Sequence, residues 1–414
     1  MKRTVVLLQG PSSFFFGHLA DALQQRGASV ERVIVCPGDA IFWGRRASVA
    51  FRGKPENWSR FIRDLLVRIT ATDVIGLGDG RFWHSTTYRE AHSLGIRVHV
   101  VEHGYLRPDT LTIEPNGTGG RSQFPRDPAL IKTLGRKHED GESHVLRSSF
   151  LAYAAMDVAY NLANVILGPI LYPHYRTHAL MHPAVEWAGW IAKALCWPAR
   201  RLGARQAMAR IPACGSPVFL FPLQLETDYQ IRHHGPRDGL RATLRRILKS
   251  FIAYAPPGSC LIVKAHPLDN GLAPWRRIVG ESATKAQNCK VLFLDGGDLE
   301  SLFPRLSGVV TVNSTVGLSA LRAGIPVIAL GTAIYDLPGL TQQGGLDKFW
   351  LEPDAPDMVL VANFVNALKA TIQVPGSFDG DGVSIGAAAI AAKIVASTDL
   401  GAILGELTLI DLEP

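Results

Sequence analysis

Short apolar runs alternate with longer amphipathic stretches through the first hundred residues. Buried strands are predicted at 4–9, 30–36, 73–77 and 98–102. Helices are predicted near 17–26, 58–70 and 85–94. This alternation is typical of a parallel, doubly wound sheet. The turns after the strands, at 9–13, 36–39, 78–84 and 102–109, would then lie at the sheet edge where such folds bind ligands.

The pattern then changes. Residues 107–145 lose periodicity and gather Pro, Gly, Asn and Asp, which predicts a long irregular loop, and 146–205 is predicted to be helical. A second alternating block follows, with strands predicted at 217–222, 260–265, 290–294, 308–312 and 326–330. Its helices are predicted near 238–253, 298–304 and 315–323. A helix after 355, a loop at 374–383 and a last helix near 384–397 complete the prediction.

Two such blocks predict an α/β protein of the GT-B-like class, with two Rossmann-type domains whose parallel sheets face a central cleft. The length of 414 residues suits two cores. We predict an N-terminal acceptor domain at 1–205, with 146–205 as a helical, aromatic insertion, and a nucleotide-sugar donor domain at 206–383. Residues 384–414 are predicted to form a helix that crosses back to the N-terminal domain.

Composition narrows the function. Hydrophobic residues make up 47% and charged residues 19%, which indicates a globular chain. The net charge of +7 favours an anionic partner, but no nucleic-acid motif is present. The apolar run at 4–8 is too short for a signal peptide, and no uninterrupted run reaches the roughly 18 residues of a membrane span. The nearest, 150–171, contains Asp157, Asn161 and Asn164.

Metal and redox chemistry find little support. The five cysteines are scattered without C-x-x-C spacing, so we expect buried free thiols. Asp379-Gly380-Asp381 has the D-x-D form of a metal-binding motif but lies in a glycine-rich loop rather than after a strand. No complete G-x-G-x-x-G supports a nicotinamide site. We therefore predict neither a metal nor a cofactor.

Two strand ends carry candidate phosphate-binding residues. Asn313-Ser314-Thr315 lies between the predicted strand 308–312 and a helix, where free backbone N–H groups suit a phosphate. An ordinary helix N-cap is the alternative for these hydroxyls. Lys264-Ala-His266-Pro267 follows another apolar run, and its histidine is either a phosphate donor or a structural turn residue. Both motifs lie at carboxyl ends of one predicted sheet.

Two further clusters contain carboxylates. Gln224-Leu-Glu226-Thr-Asp228-Tyr-Gln230 follows the strand 217–222, and two acids at this spacing suit a nucleophile or base with a positioning group. Glu102-His-Gly-Tyr105-Leu-Arg107 follows a strand of the first domain. Glu102 suits acid–base work and Arg107 suits a carboxylate ligand. The alternatives are a solvated turn for the first cluster and an anchored loop for the second.

Taken in order, these motifs resemble the capsule polysaccharide biosynthesis and export proteins of the KpsS/LipB type. The matching stretches span roughly 4–128 and 217–378. They are Leu8-Gln9-Gly10-Pro11, Gly38-Asp39, Gly78-Asp79, Glu102-x-Gly104-Tyr105-x-Arg107-Pro108, Gln224-x-x-x-Asp228-x-Gln230-Ile231, Lys264-x-His266-Pro267, Asn313-Ser314-Thr315-x-Gly317 and Gly331-x-Ala333-x-Tyr335-x-x-x-Gly339-Leu340-Thr341. His103 stands where this family pattern has a second acid, which leaves the role of that position open.

The resemblance implies a retaining β-Kdo transferase that uses CMP-Kdo, Kdo being an eight-carbon acidic ulosonic sugar. It implies a phosphatidylglycerol-type lipid acceptor at the cytoplasmic face of the inner membrane, where the enzyme starts the poly-Kdo linker of a capsule. The two-module Kdo transferase and the ABC exporter of the capsule system are the expected protein partners.

The resemblance also distributes roles. His266, Lys264, Asn313, Ser314 and Thr315 are expected to hold the CMP phosphate. Asp228 is the expected nucleophile of a double displacement, with Glu102 as the acid–base residue. Substrate contacts are expected from Gln224, Glu226, Gln230, Arg107, Tyr105 and Asp79.

Three alternatives stay open. The chain is another CMP-sugar enzyme of sialyltransferase type, a nucleotide-sugar epimerase, or a non-catalytic component of the export machinery. The aromatic and basic helices at 146–205 either lie on an anionic membrane or simply pack between domains.

Overall fold

The computed structural model describes residues 2–136, 146–147, 149–212 and 215–396. Its strands are β1 (Thr4–Leu7), β2 (Ser29–Ile34), β3 (Val49–Ala50), β4 (Asp73–Leu77), β5 (Arg97–His103), β6 (Thr110–Pro115), β7 (Val218–Pro222), β8 (Cys260–Lys264), β9 (Lys290–Leu294), β10 (Gly308–Thr311), β11 (Val327–Ala329) and β12 (Gln373–Pro375). Its first helices are α1 (Phe15–Gln25), α2 (Pro37–Trp43), α3 (Trp58–Arg68), α4 (Phe82–Ser93), α5 (Pro128–Arg136), α6 (Phe150–Leu171), α7 (Pro183–Leu195) and α8 (Trp197–Ala209). The later ones are α9 (Tyr229–His234), α10 (Gly239–Tyr254), α11 (Trp275–Ala283), α12 (Thr315–Arg322), α13 (Leu346–Leu351), α14 (Met358–Thr371) and α15 (Gly382–Val395). Short 3₁₀ helices occupy Pro55–Asn57, Gly119–Arg121 and Glu300–Arg305.

The chain divides into two compact units. Unit 1 comprises Met1–Phe124, Arg136–His178 and Asn366–Pro414, and unit 2 comprises Pro125–Gly135 and Ala179–Val365. The predicted boundary at 205 therefore lies within unit 2, because α7 and α8 group with the second sheet. Helix α15 lies in unit 1 and packs against α1; residues 397–414 of the predicted C-terminal helix lie outside the described residues.

Unit 1 contains a seven-stranded sheet in the order β12-β6-β5-β4-β1-β2-β3. Strands β1 to β5 are parallel, whereas β6 pairs antiparallel with β5 and β12 antiparallel with β6. The apolar side chains of β1 alternate between two cores. Val5 and Leu7 pack with α1 and α15 on one face, and Val6 packs with α3 and α4 on the other. Burial on both faces explains the nearly continuous apolar run at 4–8.

Unit 2 contains a five-stranded, all-parallel sheet in the order β11-β10-β7-β8-β9. Strands β7 and β8 are fully buried, and Phe219 and Phe221 pack against helices α10 and α13. The α/β class and the two Rossmann-type sheets are thus as predicted, and all nine strands predicted from the apolar runs are present.

The prediction of an irregular loop over 107–145 was wrong for its described part. Residues 110–115 form β6, and 128–136 form α5. Thr112 and Glu114 are both fully buried in β6, although they are polar. Because these polar residues interrupt the run of apolar residues, the strand lacks the pattern from which a buried strand is predicted. Residues 137–145 lie outside the described residues.

Two other turns were also mispredicted. The turn at 36–39 is the first turn of α2, with Pro37 at the first helical position where a missing N–H costs nothing. The predicted loop at 374–383 begins with β12 on the edge of the sheet. Helices α9, α11 and α13 are short and were not predicted.

Helix α6 is, within the described part of the chain, long and apolar enough over Leu151–Leu171 to cross a membrane by length and composition alone. Polar residues of α6 nevertheless form hydrogen bonds with other segments of unit 1. Ser12 Oγ donates to Asp157 Oδ1 at 2.9 Å, and the backbone N–H of Gly38 donates to Asn164 Oδ1 at 2.8 Å.

Candidate functional site

The carboxyl edge of the unit 2 sheet gathers most of the predicted site residues. Strands β10, β7 and β8 are neighbours, so the segments that follow them emerge side by side. The chain leaves β10 at Asn313-Ser314, leaves β7 toward Gln224, and leaves β8 at Lys264 and then His266. Residues that are 40 to 50 or more positions apart are thereby brought to one edge by the parallel topology.

A network of amide groups joins the β7 and β10 ends. Gln224 Nε2 donates to Asn313 Oδ1 at 2.9 Å, and the Asn313 backbone N–H donates to Gln224 Oε1 at 3.3 Å. Asn313 Nδ2 donates to the Gln230 carbonyl oxygen at 3.0 Å. Gln224 and Asn313 therefore hold each other and the start of α9 in register, and their first role in this structure is to shape the edge.

Helix α12 begins directly at this edge. Ser314 is its N-cap, and Ser314 Oγ accepts the N–H of Val316 at 3.2 Å. The Tyr335 hydroxyl donates to the Ser314 carbonyl oxygen at 2.5 Å and packs over Gly317, where any side chain would collide with it. Thr315 is the first helical residue. Capping and an anion-binding helix start are thus compatible here, because capping uses only part of the N–H groups of the first turn.

The β8 end supplies a histidine of defined tautomer and a lysine. His266 Nδ1 accepts the backbone N–H of Leu268 at 3.1 Å, so a neutral ring carries its proton on Nε2. Lys264 is 6% exposed and donates to the Gly296 carbonyl oxygen at 3.1 Å. Burial lowers the pKa of the Lys264 ammonium. His266 therefore presents Nε2–H as its donor. Lys264 stabilises the neighbouring loop through its hydrogen bond to Gly296.

The two acids after β7 have different surroundings. Asp228 caps α9, and its Oδ1 accepts the N–H of Gln230 at 2.9 Å, which orients the carboxylate. Glu226 forms a two-point ion pair with Arg241 of α10, at 2.7 and 2.6 Å. Only Asp228 is therefore joined through Gln230 to the Asn313 network.

The unit 1 candidates lie at the ends of β4 and β5. Gly78 has a positive φ of 70°, and a Cβ there would stand 2.7 Å from Glu102 Oε1, so glycine leaves room for the glutamate. Asp79 is 1% exposed, and Arg121 Nη1 lies 3.5 Å from its Oδ2. Glu102 is partly exposed, whereas Asp79 is enclosed.

Tyr105 links two segments of the same region through its hydroxyl group. Its hydroxyl donates to Glu114 Oε1 at 3.1 Å and accepts the Gly119 N–H at 2.8 Å. Burial raises the pKa of the Glu114 carboxyl to about 8, against hydrogen bonds from Ser122 and Tyr105 that lower it. Arg107 is exposed and donates through Nε to the Gly104 carbonyl oxygen at 3.3 Å. Glu114 escaped the sequence analysis because it was assigned to a loop.

Unit 1 also contains a polar cavity, partly open to solvent, that the sequence did not indicate. Its volume is about 190 Å³, and it lies where β1 and β4 end. Its polar lining includes Ser12, Arg81, Tyr153, Asp157 and Asn161. One wall comes from the turns after β1 and β4, and the other comes from α6, which is about 140 residues away in sequence from the first of these turns. His103, whose role the sequence left open, lies at its exposed rim.

Among the residues that the structure describes, no group of three or more His, Cys, Asp or Glu side chains is arranged to hold a metal ion. Asp379 and Asp381 of the D-x-D lie between β12 and α15 rather than directly after a parallel strand.

Comparison with known proteins shows which family the chain resembles. The family described as Capsule polysaccharide biosynthesis protein matches residues 72–379. The Escherichia coli capsule polysaccharide export protein KpsS is 30% identical over 373 residues, covering 89% of this chain and 95% of the relative. The capsule polysaccharide modification protein LipB of Neisseria meningitidis serogroup B is 29% identical, covering 90% and 91%.

Among solved structures, Thermosulfurimonas dismutans KpsC, a beta Kdo 2,7 transferase, superposes with a TM-score of 0.47 at 16% identity, covering 96% of this chain and 99% of that chain. The family match spans about three quarters of the sequence and includes the ends of β4, β5, β7, β8 and β10, where the candidate residues lie. The chain therefore belongs to the capsule polysaccharide biosynthesis protein family.

Proposed function

We propose that the protein is a retaining glycosyltransferase that moves Kdo from CMP-Kdo to a phosphatidylglycerol-type lipid, starting the poly-Kdo linker of a capsule. The observation that carries the proposal is the carboxyl edge of the unit 2 sheet, where an oriented histidine, a capped helix start and an oriented carboxylate lie on neighbouring strand ends. Family membership supplies the capsule context. The identity of the sugar rests on the sequence resemblance.

The phosphate of CMP is the group that this edge suits. The His266 Nε2–H and the first N–H groups of α12 are the proposed donors, and the helix dipole adds partial positive charge. Such donors stabilise the charge that develops on a departing phosphate without reorganising during the reaction. We therefore expect no requirement for a metal ion or a cofactor.

Asp228 is the proposed nucleophile. A carboxylate oxygen of Asp228 attacks the anomeric carbon of Kdo, the bond from that carbon to the CMP phosphate oxygen breaks, and CMP leaves. An acceptor hydroxyl then attacks the same carbon, the bond to Asp228 breaks, and the hydroxyl proton passes to a base. Two inversions give net retention. Glu102 of unit 1 is the proposed base.

The surrounding residues have supporting roles in this proposal. Gln224 and Gln230 hold the strand ends and position Asn313, whereas Tyr105 bonds to Glu114 and Gly119 and Asp79 lies 3.5 Å from Arg121 Nη1. Arg107 is exposed, and Glu226 forms an ion pair with Arg241. Both are candidates for contacts with the outer part of the substrate. We propose that the enzyme acts at the cytoplasmic face of the inner membrane, as a peripheral protein beside the two-module Kdo transferase and the capsule exporter.

Incubation of the purified chain with CMP-Kdo and a short-chain phosphatidylglycerol tests the proposal. Mass spectrometry should detect one Kdo added to the lipid with stoichiometric CMP, and NMR should assign the β anomer. Turnover with CMP-sialic acid instead would favour a sialyltransferase, and turnover of UDP-sugars without acceptor would favour an epimerase. Binding of CMP-Kdo without any CMP release, with or without lipid, would contradict a transferase and favour a binding component of the exporter.

A further inference from the structure

The polar cavity of unit 1 lies at the point of the sheet where a ligand is expected. From β1 the chain proceeds outward to β2 and β3, and then returns to β4 on the other side of β1. The β1–β4 boundary is thus a topological switch point, where the connections diverge and leave a crevice beyond the strand ends. Gly10 and Ser12 follow β1, and Arg81 follows β4, and all three line the cavity.

Arg81 supplies a positive charge at the cavity wall, and the buried Asp39, whose pKa is raised by burial, is close enough for this charge to lower that pKa in part. Arg81 Nη1 donates to the Gly10 carbonyl oxygen at 3.3 Å, and no carboxylate of the described residues forms an ion pair with it. The Arg81 guanidinium also lowers the pKa of His178, which lines the cavity too, so that this ring is neutral at pH 7. A guanidinium that forms no ion pair and lines a polar cavity suits the oxygens of a phosphate.

The opposite wall suits hydroxyl groups. Asp157 is held by Ser12 Oγ at 2.9 Å on one oxygen and by Asn161 Nδ2 at 3.1 Å on the other. Each carboxylate oxygen has a further lone pair for a ligand hydroxyl. Tyr153 adds a phenol to this wall. A ligand with both an anionic group and hydroxyls fits Arg81 and Asp157 together, and 190 Å³ limits it to a small one.

The outer face of α6 indicates where such a ligand comes from. Val158, Leu162, Ile166 and Ile170 follow at intervals of four residues and are 44%, 43%, 58% and 78% exposed. Asp157 is the one acidic residue of the helix and faces the cavity. A single helix thus presents headgroup chemistry inward and an apolar stripe outward, which is the pattern of a helix lying in a membrane interface.

Basic residues flank that stripe. Arg147 precedes α6 and Arg176 follows it, and both are exposed. Positive charge at both ends of an apolar stripe favours an anionic lipid surface over a neutral one. This charge distribution selects the lipid rather than a soluble phosphate as the source of the ligand.

We propose that the unit 1 cavity binds the phosphoglycerol headgroup of an anionic phospholipid, with the phosphate on Arg81 and a glycerol hydroxyl on Asp157, while the outer stripe of α6 contacts the acyl region. This assignment rests on the proposed function only in treating the bound lipid as the acceptor. Headgroup binding itself does not require the chain to be a transferase.

Co-sedimentation of the full chain with vesicles tests the proposal. We expect binding to phosphatidylglycerol vesicles, little binding to phosphatidylcholine vesicles, and competition by millimolar sn-glycerol 3-phosphate. Arg81→Gln should weaken phosphatidylglycerol binding at least tenfold. Arg89→Gln, at an exposed arginine of helix α4, which begins directly after Arg81, is the matched control and should bind as the parent does.

Further variants separate the outcomes. Ile166→Gln with Ile170→Gln should reduce vesicle binding but leave protection by glycerol 3-phosphate in a thermal-shift assay. Vesicle binding that survives Arg81→Gln but is lost in the α6 variants would overturn the headgroup site. Competition by free Kdo but not by glycerol 3-phosphate would overturn its phosphate chemistry. Unchanged CMP affinity in Arg81→Gln shows an intact unit 2, so a failure of headgroup binding remains distinct from a failure of the donor assignment.

Discussion

The carboxyl edges of the two sheets are built in different ways. The edge of unit 2 uses strand–turn–helix segments whose side chains bond to neighbouring strand ends, as Gln224 does with Asn313. The edge of unit 1 is closed by α6, which is held by a buried polar network. Tyr160 of α6 accepts from Gln9 Nε2 at 2.7 Å and donates to Asp39 Oδ1 at 3.3 Å.

This difference separates two tasks. Turns that follow the strands directly give unit 2 an edge with backbone donors, as the proposed leaving group requires, whereas a helix laid across strand ends gives unit 1 the polar cavity for which we propose a headgroup ligand. The comparison predicts that substitutions can disable one edge and leave the other working.

The largest effect is expected from Asp228→Asn. The amide keeps the N-cap of α9 but cannot form the glycosyl–enzyme bond, so turnover of CMP-Kdo should fall by about 10³-fold or more. Steady-state CMP release measures it, with Asp238→Asn, an exposed acid before α10, as the control. Headgroup binding by unit 1 should be unaffected. Full turnover in Asp228→Asn and Asp228→Ala would remove Asp228 from the mechanism.

The next effect concerns the closure of the unit 1 edge. A methyl group at Gly38 would stand 2.5 Å from the Tyr160 ring, so Gly38→Ala should displace α6. Overpacking of this kind costs about 1–3 kcal/mol, and phosphatidylglycerol binding should be lost while CMP affinity remains. Calorimetry with CMP and vesicle sedimentation measure the two sides. Gly168→Ala in α6, where a methyl meets nothing within 4 Å, is the control. Equal losses at both edges would argue against their independence.

Glu114 contributes a pH dependence to the stability of unit 1. Its pKa is raised from 4.5 to about 8 by burial, so the folded state holds a proton that the unfolded state releases above pH 4.5. The contribution of Glu114 to stability is therefore fully present below pH 4.5 and is lost as pH rises toward 8, by on the order of 2 kcal/mol or more. Glu114→Gln should flatten this fall. Urea unfolding of parent and variant at pH 5.5 and 8.5 measures it, and an unchanged pH slope in the variant would contradict the assignment.

The smallest effect tests the amide network of unit 2. Asn313→Ala and Gln224→Ala should each weaken CMP binding about fivefold, which is about 1 kcal/mol. The double variant should lose little more than either single variant, because both break the same hydrogen bonds. Calorimetric CMP titrations complete the cycle. Fully additive losses would mean that the two side chains contact the nucleotide separately.

Much of unit 2 could be predicted because each motif of its site is local in sequence. Apolar runs located the strands, and hydroxyl, histidine and carboxylate residues directly after them located the edge. The pairing of Glu226 with Arg241 could not be read in this way, since it depends on where α10 packs. Tyr335 was part of the family pattern, but its hydrogen bond to Ser314 and its contact with Gly317 became evident only in the structure.

By itself, the sequence determined the α/β class, the nine apolar strands and the residues at the strand ends, because period and turn chemistry act over a few positions. The tertiary structure alone decided that Thr112 and Glu114 are buried in a strand, that α15 packs on α1, and that α6 closes the unit 1 cavity. The packing of α15 and α6 depends on contacts between segments more than a hundred residues apart, and the burial of Glu114 depends on hydrogen bonds from Tyr105 and Ser122 that form only when β6 and its neighbouring loops fold together. No local pattern records such contacts, so they appear only when the chain is folded.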